Sequence, residues 1–424
     1  MIAPLAQSFA QYSPLCGTND RFHDYVFKPA PTPTSNIVYG YNVKYDGTGD
    51  TLKLDVYKPV GDVATNRPLV IIAHGGSFIA GSKTGTDVVP LAKSFAEMGY
   101  VTASIEYRLG ISNLATGPDS ADAGAAVIRA THDGRAAVRY FRKNARVGGN
   151  TYGIDTNHIY FVGVSAGGFI ALHLAYLNQL SDFPNYIDTT GVTVGTTTGQ
   201  PGIHGGLEGL SGNPGYPSNV NAIINICGAI ADTNMMHTGN IPVLSFHGNM
   251  DNTVPYGYAE IVLAGTFPLI KVYGSSMVNR RATHLGIPNC METWLGQDHV
   301  PETTKPAYYD STITISRTWL EHFTCGTALN CNYTQPLGVN EISKNVDFNI
   351  YPNPANTYST IELSAFTGKS VNIELYDALG RRIVNVENYK ADKYMIDRNN
   401  MPTGIYFIKI ASEGKNYCKK LIFE

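Results

Sequence analysis

The stretch that decides the fold runs Ile159-Tyr160-Phe161-Val162-Gly163-Val164-Ser165-Ala166-Gly167-Gly168-Phe169-Ile170-Ala171-Leu172. Its first half, Ile159–Val164, is short, apolar and rich in β-branched residues, the pattern of a strand buried on both faces. Its second half, Ala166–Leu177, is apolar at helical length. Between them Gly163-Val164-Ser165-Ala166-Gly167 fits G-x-S-x-G. A serine at a sharp turn from a buried strand into a helix is held in a strained backbone with its hydroxyl exposed, and flanking glycines relieve the crowding. A chance match in a glycine-rich chain is the bland alternative, and the strand–turn–helix setting speaks against it.

Outward from that turn, strand and helix patterns alternate. Ile37–Tyr45 and Thr51–Tyr57 alternate apolar and polar residues like half-exposed antiparallel strands. Pro68–Ala73 and Tyr100–Ile105 read as buried strands, with helical spacing over Val88–Met98 between them and a longer helix over Ala121–Asn144. Apolar strands return at Ala222–Ile226 and Ile241–Phe246. Helical stretches near Tyr258–Ala264 and Met277–Leu285 precede a last strand around Met291–Leu295 and a closing helix over Ile313–Phe323. The expected class is α/β, a doubly wound, mostly parallel sheet covered on both faces. Residues 181–220 dissolve into Gly, Thr, Pro and Asn, and a stretch of that kind inside a domain is expected to be a pocket or lid insertion.

After Cys331 the composition changes. From Val346 to Glu424 runs such as Val371–Asp377 and Gly404–Ile410 alternate in β fashion with turn signals between them, so a small all-β sandwich is expected there. The expected organisation is a signal-peptide remnant over 1–10 ending Ser8-Phe9-Ala10, a catalytic domain over 11–331, a linker over 332–345 and the sandwich over 346–424. At 424 residues two units are also the expectation from length. A content of 15% charged residues with a formal charge of −3 gives no reason to expect nucleic acid as a partner, and no apolar run is long enough to span a bilayer. The six cysteines have no C-x-x-C pair, and no His, Cys or carboxylate cluster has metal spacing, so no metal or other cofactor is expected. Buried free thiols and a few disulfides both fit; Cys325 and Cys331 are close enough in sequence to close a small loop.

A serine hydroxyl needs a base, and the base an orienting acid. The acid is expected just past a later buried strand, where Asp251 sits in Gly248-Asn249-Met250-Asp251; Asp232, after the preceding strand, is the weaker candidate. The base is expected on a loop after the last strand, which describes His299. His284 lies in a helix pattern, His247 ends the strand before Asp251, and Asp298 adjoins His299 too closely in sequence to point at it. His74-Gly75-Gly76-Ser77-Phe78 follows another buried strand, where glycines let backbone N–H groups approach a developing alkoxide. The amides of Gly76, Ser77 and Ala166 are the expected oxyanion donors; the bland reading of His-Gly-Gly is a tight turn.

Taken together these motifs resemble the α/β-hydrolase carboxylesterases, in particular bacterial secreted esterases with a His-Gly-Gly oxyanion loop. The likeness covers about residues 36–325. It implies an ester substrate, simple acyl, feruloyl-polysaccharide or polyester, with pocket walls in 181–220 and in Tyr256–Arg281, where Tyr256, Tyr258, Phe267 and Tyr273 would supply aromatic faces. Glu106-Tyr107-Arg108-Leu109 and Asp133-Gly134-Arg135 look like structural segments of the same family. Ser77 stands where many relatives carry a third glycine. A serine peptidase similar to prolyl oligopeptidases would use a tyrosine-assisted oxyanion hole instead, and a non-catalytic binding protein on this scaffold would lack part of the Ser–His–Asp set. The C-terminal unit resembles the type A sorting domain of type IX secretion substrates, through Tyr351-Pro352-Asn353-Pro354-Ala355, Leu375–Arg381, Pro402-Thr403-Gly404-Ile405-Tyr406 and Lys419–Phe423. That likeness implies the secretion machinery as partner, export through the periplasm and outer membrane to the cell surface or medium, and an oxidising passage in which disulfides form. A carbohydrate-binding or Ig-like module is the alternative.

Overall fold

A computed structural model describes residues 12–184, 187, 189, 201–263, 267–329, 348–378, 381–399, 401–412 and 415–424. The expected signal remnant, Cys331 and the expected linker lie outside them. The chain divides into two compact units, Met1–Tyr333 and Thr334–Glu424.

The first unit runs β1 (Thr34–Val43), β2 (Gly49–Tyr57), β3 (Arg67–Ala73), α1 (Val89–Glu97), β4 (Val101–Ile105), α2 (Ser120–Val147), β5 (Ile154–Val164), α3 (Ala166–Tyr176), β6 (Ala222–Ile226), β7 (Ala229–Ile230), β8 (Val243–Gly248), β9 (Tyr258–Leu263), β10 (Phe267–Gly274), α4 (Ser275–Leu285), β11 (Asn289–Trp294) and α5 (Pro306–Cys325). Eight strands form one sheet in the order β1-β2-β4-β3-β5-β6-β8-β11. Only β2 runs against its neighbours; from β4 to β11 every pairing is parallel.

Parallel pairing requires crossovers, and the crossover helices bury both faces. Alternate residues of β3 therefore enter different cores. Leu69, Ile71 and Ala73 pack with α2 and α3 residues such as Val138, Phe141 and Ile170, while Val70 and Ile72 pack with Leu91 and Phe95 of α1 and Trp319 and Leu320 of α5. This is why β3, β4 and β6 read as continuous apolar runs. Helix α2 opens with a capping box in which Asp119 accepts from the amides of Ala121 and Asp122.

Two expectations need correction. The described part of the expected helix near Tyr258–Ala264 is a strand: β9, Tyr258–Leu263, pairs antiparallel with β10 in a short β7–β10–β9 sheet. The apolar spacing of Tyr258, Ile261 and Val262 fits a helix, but cross-strand pairing to the β-branched β10 decides the local conformation. Of the cysteine pairings left open by the sequence, the small loop from Cys325 to Cys331 is not the one formed. Cys325 is bonded to Cys16, which fastens the start of the unit to the end of α5 across 309 residues of chain. A crosslink over so long a loop restricts the unfolded chain and typically stabilises by about 2–4 kcal/mol. Cys290 is also disulfide-bonded, and Cys227 and Cys418 are free thiols.

The second unit continues β12 (Ile350–Tyr351), β13 (Tyr358–Glu362), β14 (Val371–Asp377), β15 (Arg382–Tyr389), β16 (Lys393–Asp397), β17 (Gly404–Ser412) and β18 (Lys415–Phe423). Two antiparallel sheets, β12-β13-β16 and β15-β14-β17-β18, close on a core that includes Ile361, Ile373, Leu375, Ile396, Ile408, Leu421 and Phe423. This is the expected all-β sandwich. Among the described residues no helix is long and apolar enough to cross a membrane.

Candidate active site

The serine of G-x-S-x-G leaves β5 and caps α3. Ser165 has φ 54° and ψ −115°, and its amide donates to the Ile226 carbonyl at 2.8 Å. Its two flanking glycines are sterically required. A Cβ on Gly163 would lie 1.9 Å from the Gly167 carbonyl oxygen, and one on Gly167 would lie 2.1 Å from that of Ala73. The turn is thus as tight as the motif implied.

The chain brings Asp251 and His299 to this serine. His299 Nδ1 is 2.7 Å from Asp251 Oδ2 and its Nε2 is 2.8 Å from Ser165 Oγ. With the carboxylate on Nδ1, that nitrogen carries the proton and Nε2 is left to accept from the serine hydroxyl. Asp251 Oδ1 accepts the amides of Thr253 and Val254, both at 2.8 Å. Burial pushes the Asp251 carboxyl upward, but hydrogen bonds from His247 and His299 outweigh it and hold the acid well below the usual carboxylate range.

The weaker candidates lie elsewhere. Asp232 caps the turn Thr233–Met235 by accepting the Asn234 amide. His284 sits in the last turn of α4. Asp298 does not face the imidazole; its Oδ1 accepts the amides of Asn252 and His299, and so ties the two site loops together. His74 is buried and stacked 4.3 Å from Tyr107, and burial lowers its pKa.

At the expected oxyanion loop, Gly75 donates its amide to Asp87 Oδ2 at 2.7 Å, while the amides of Ile79 and Ala80 close a turn on the Gly76 carbonyl. Ser77 and Phe78 adopt the left-handed conformation, at φ 54° and 61°. Among the described residues the amides of Gly76, Ser77 and Ala166 have no protein acceptor. Ser77, Ser165 and Ala166 line one cavity of about 330 Å³.

The expected segment Tyr256–Arg281 does wall that cavity, through Ile261, Val262, Leu269 and Ile270, but not through its aromatic residues. Ile111, Ala123, Val127, Phe169, Val254, Ile261, Leu269 and Ile270 are among its lining, and none of Tyr256, Tyr258, Phe267 or Tyr273 is. Tyr258 and Tyr273 are cross-strand partners and stack on each other, 4.5 Å between ring centres, which leaves the aliphatic residues of the hairpin to face the serine. No described residue of 181–220 lines this cavity either; Pro184 and Ile187 border a smaller one nearby, and 201–220 packs elsewhere. It is held on α2 and β1 instead, by Arg139 to the Gly212 carbonyl, His132 to the Gly206 carbonyl and the Tyr41 amide to the Ser211 carbonyl. The two family-like segments meet: Arg108 and Asp133 form a fully buried ion pair at 2.8 Å, to which the Ser211 hydroxyl adds a hydrogen bond.

Two groups escaped sequence reasoning. His247 is not merely a strand end: its Nε2 lies 3.0 Å from the Val254 carbonyl and 3.2 Å from Asp251 Oδ2, and its Nδ1 lies 2.7 Å from Ser275 Oγ. It is a second imidazole on the same carboxylate, and its spacing four residues before Asp251 was the available signal. Glu302, on the turn after His299, is 5% exposed with both carboxyl oxygens unpartnered among the described residues. Burial, reinforced by the charges of Asp87 and Asp251, pushes this acid up to about 8. The folded state therefore holds a proton that the unfolded chain releases near pH 4, so this contribution to stability is present at low pH and lost as pH rises through about 8. Urea denaturation from pH 4.5 to 8.5 is expected to show wild type losing roughly 2–4 kcal/mol that Glu302→Gln does not lose. Parallel curves for the two proteins would place the carboxyl in water.

Cys227 Sγ, Asp251 and His299 form the one cluster of potential metal ligands among the described residues, and it shares two members with the serine relay.

Residues 54–204 match the BD-FAE family, a span that includes Gly76 and Ser165 and stops short of Asp251 and His299, and residues 349–424 match the secretion system C-terminal sorting domain. Mouse carboxylesterase 3B is 33% identical over 150 residues, covering 34% of this chain and 24% of that protein. Esterase-5C of Drosophila miranda is 27% identical over 169 residues, covering 40% and 28%. The chain thus spans about a quarter of the length of these curated relatives. Among solved structures, Thermogutta terrifontis esterase 2 phosphorylated by paraoxon superposes with a TM-score of 0.49 at 20% identity, over 69% of this chain and 95% of that one.

Proposed function

We propose that this chain, an α/β-hydrolase domain of BD-FAE type joined to a secretion system C-terminal sorting domain, is an exported serine carboxylesterase. The observation that carries the reading is the unbroken relay from Asp251 through His299 to Ser165, with links of 2.7 and 2.8 Å. Ser165 Oγ attacks the ester carbonyl carbon as His299 Nε2 takes its proton, and Asp251 steadies the imidazolium. The carbonyl oxygen becomes an alkoxide, for which the free amides of Gly76, Ser77 and Ala166 are the donors. Collapse expels the alcohol with the proton from His299 and leaves an acyl-serine. Water, deprotonated by the same imidazole, then releases the acid. No step calls for a metal or cofactor.

Among the described residues, the cavity beside Ser165 has no charged side chain in its lining, which suits an uncharged, apolar acyl group. Simple acyl esters, feruloyl or acetyl esters of plant polysaccharide and polyesters all present such a group. The test is kcat/KM across acetyl, butyryl, octanoyl, feruloyl and polyester substrates beside peptide amides. Ester turnover without amide turnover is expected; amide turnover alone would make the protein a peptidase. For the tail, the sorting-domain match supports delivery to the surface or medium through residues 346–424. In a host with type IX secretion, deleting 334–424 is expected to trap active esterase in the periplasm, and unchanged export would remove that role.

A further inference from the structure

Ser165, Phe169 and His173 follow one another at intervals of four along α3, so they lie in line on one face of the helix. Phe169 is buried beneath the nucleophile, its ring edge-on to Phe78 at 6.1 Å and parallel to His173 at 6.5 Å. Behind it lies a second, small cavity of about 30 Å³, which includes Ile128, His173, Ala231, Met235 and Val272 in its lining. Ala123, Val127, Phe169 and Ile270 border this cavity and the one that holds Ser165, so they are the wall between the two. Of these four, Phe169 is the bulkiest and stands directly in line with the serine.

The rear cavity is apolar. Among the described residues its one ionisable lining group, His173, is kept neutral by burial, with a pKa lowered to about 4. Both ring nitrogens are used: Nδ1 donates to the Phe169 carbonyl at 2.8 Å and Nε2 accepts from the Ala231 amide at 3.3 Å. With no unmet polar group among its described lining residues, the space suits a hydrocarbon chain better than water.

We propose that Phe169 is a specificity-determining residue that sets acyl length, its ring closing the acyl pocket against an apolar extension running deeper along α3. The proposal rests on the esterase reading. Wild type is expected to favour acyl groups that end at the ring, and a smaller side chain to admit longer ones. Each methylene newly buried favours the long substrate by about fourfold. The test is kcat/KM for p-nitrophenyl acetate, butyrate, octanoate and decanoate with wild type, Phe169→Leu, Phe169→Ala and Phe169→Ala/Ala231→Leu, each checked for a cooperative thermal transition. The octanoate-to-acetate ratio is expected to rise at least tenfold in Phe169→Ala and at least threefold in Phe169→Leu, and to return towards wild type when Ala231→Leu refills the rear space. Should Phe169→Ala not fold, Phe169→Leu decides alone. A ratio that stays level or falls in folded variants overturns the proposal, whereas wild type inactive on every ester overturns the esterase reading instead.

Discussion

Replacing Ser165 with alanine is expected to abolish ester hydrolysis, lowering kcat by about 10⁴–10⁶, while the protein stays folded. The size of the loss follows from chemistry: without Oγ there is no acyl-enzyme, and only the oxyanion donors and substrate binding remain to help water. Retention of the fold follows from the backbone. Ser165 already carries a Cβ at φ 54°, so alanine adds no strain, and the amide bond to Ile226 is untouched. Steady-state hydrolysis of a short p-nitrophenyl ester, beside a thermal melt, measures both halves of the expectation. Near-normal turnover would mean that another group attacks the carbonyl.

Asp251→Asn and His299→Ala are each expected to cost several powers of ten in kcat, about 10⁴ for the aspartate. Asparagine can present an N–H to His299 Nδ1, which would shift the imidazole proton to Nε2 and leave nothing to accept from Ser165. Two imidazoles lean on this carboxylate, at 2.7 and 3.2 Å, so its loss also frees His247. On the proposed mechanism the three residues act as a unit, so adding Ser165→Ala to either variant is expected to change little further. Asp298→Asn is expected to be far milder, since its carboxylate accepts backbone amides and does not face the imidazole. The same contrast holds for Asp232→Asn and His284→Ala. A damaging His284→Ala beside a tolerated His299→Ala would move the base to another loop.

The parts of the site that sequence made legible are those where backbone sterics and chemistry leave few choices. Gly163 and Gly167 cannot be anything larger, and the buried runs at β3, β5, β6 and β8 locate the loops that carry His74–Phe78, Ser165 and Asp251. What escaped depends on contacts distant in the chain. Whether Tyr258–Leu263 is strand or helix is decided by β10, and the stacking of Tyr258 on Tyr273 turns the aromatics away from the cavity. Cys16 and Cys325 are 309 residues apart and meet through packing that neither local sequence encodes. Glu302 looks like any surface glutamate until the turn after His299 buries it. The insertion at 181–220 reads as a pocket wall because it lacks periodicity; Pro184 and Ile187 do border the small rear cavity, whereas the arginine-rich face of α2 holds 201–220 away from the cavity at Ser165.

A fluorophosphonate probe tests the central claim most directly. It reacts only where a serine hydroxyl is activated and its phosphoryl oxygen can enter an oxyanion hole, so labelling reports the relay and the free amides in one event. Full-length protein is expected to take up one phosphonyl group, located by peptide mass spectrometry on Ser165. Labelling should disappear in Ser165→Ala and fall steeply in His299→Ala. An unlabelled wild-type protein, or an adduct on any other residue, would contradict the account.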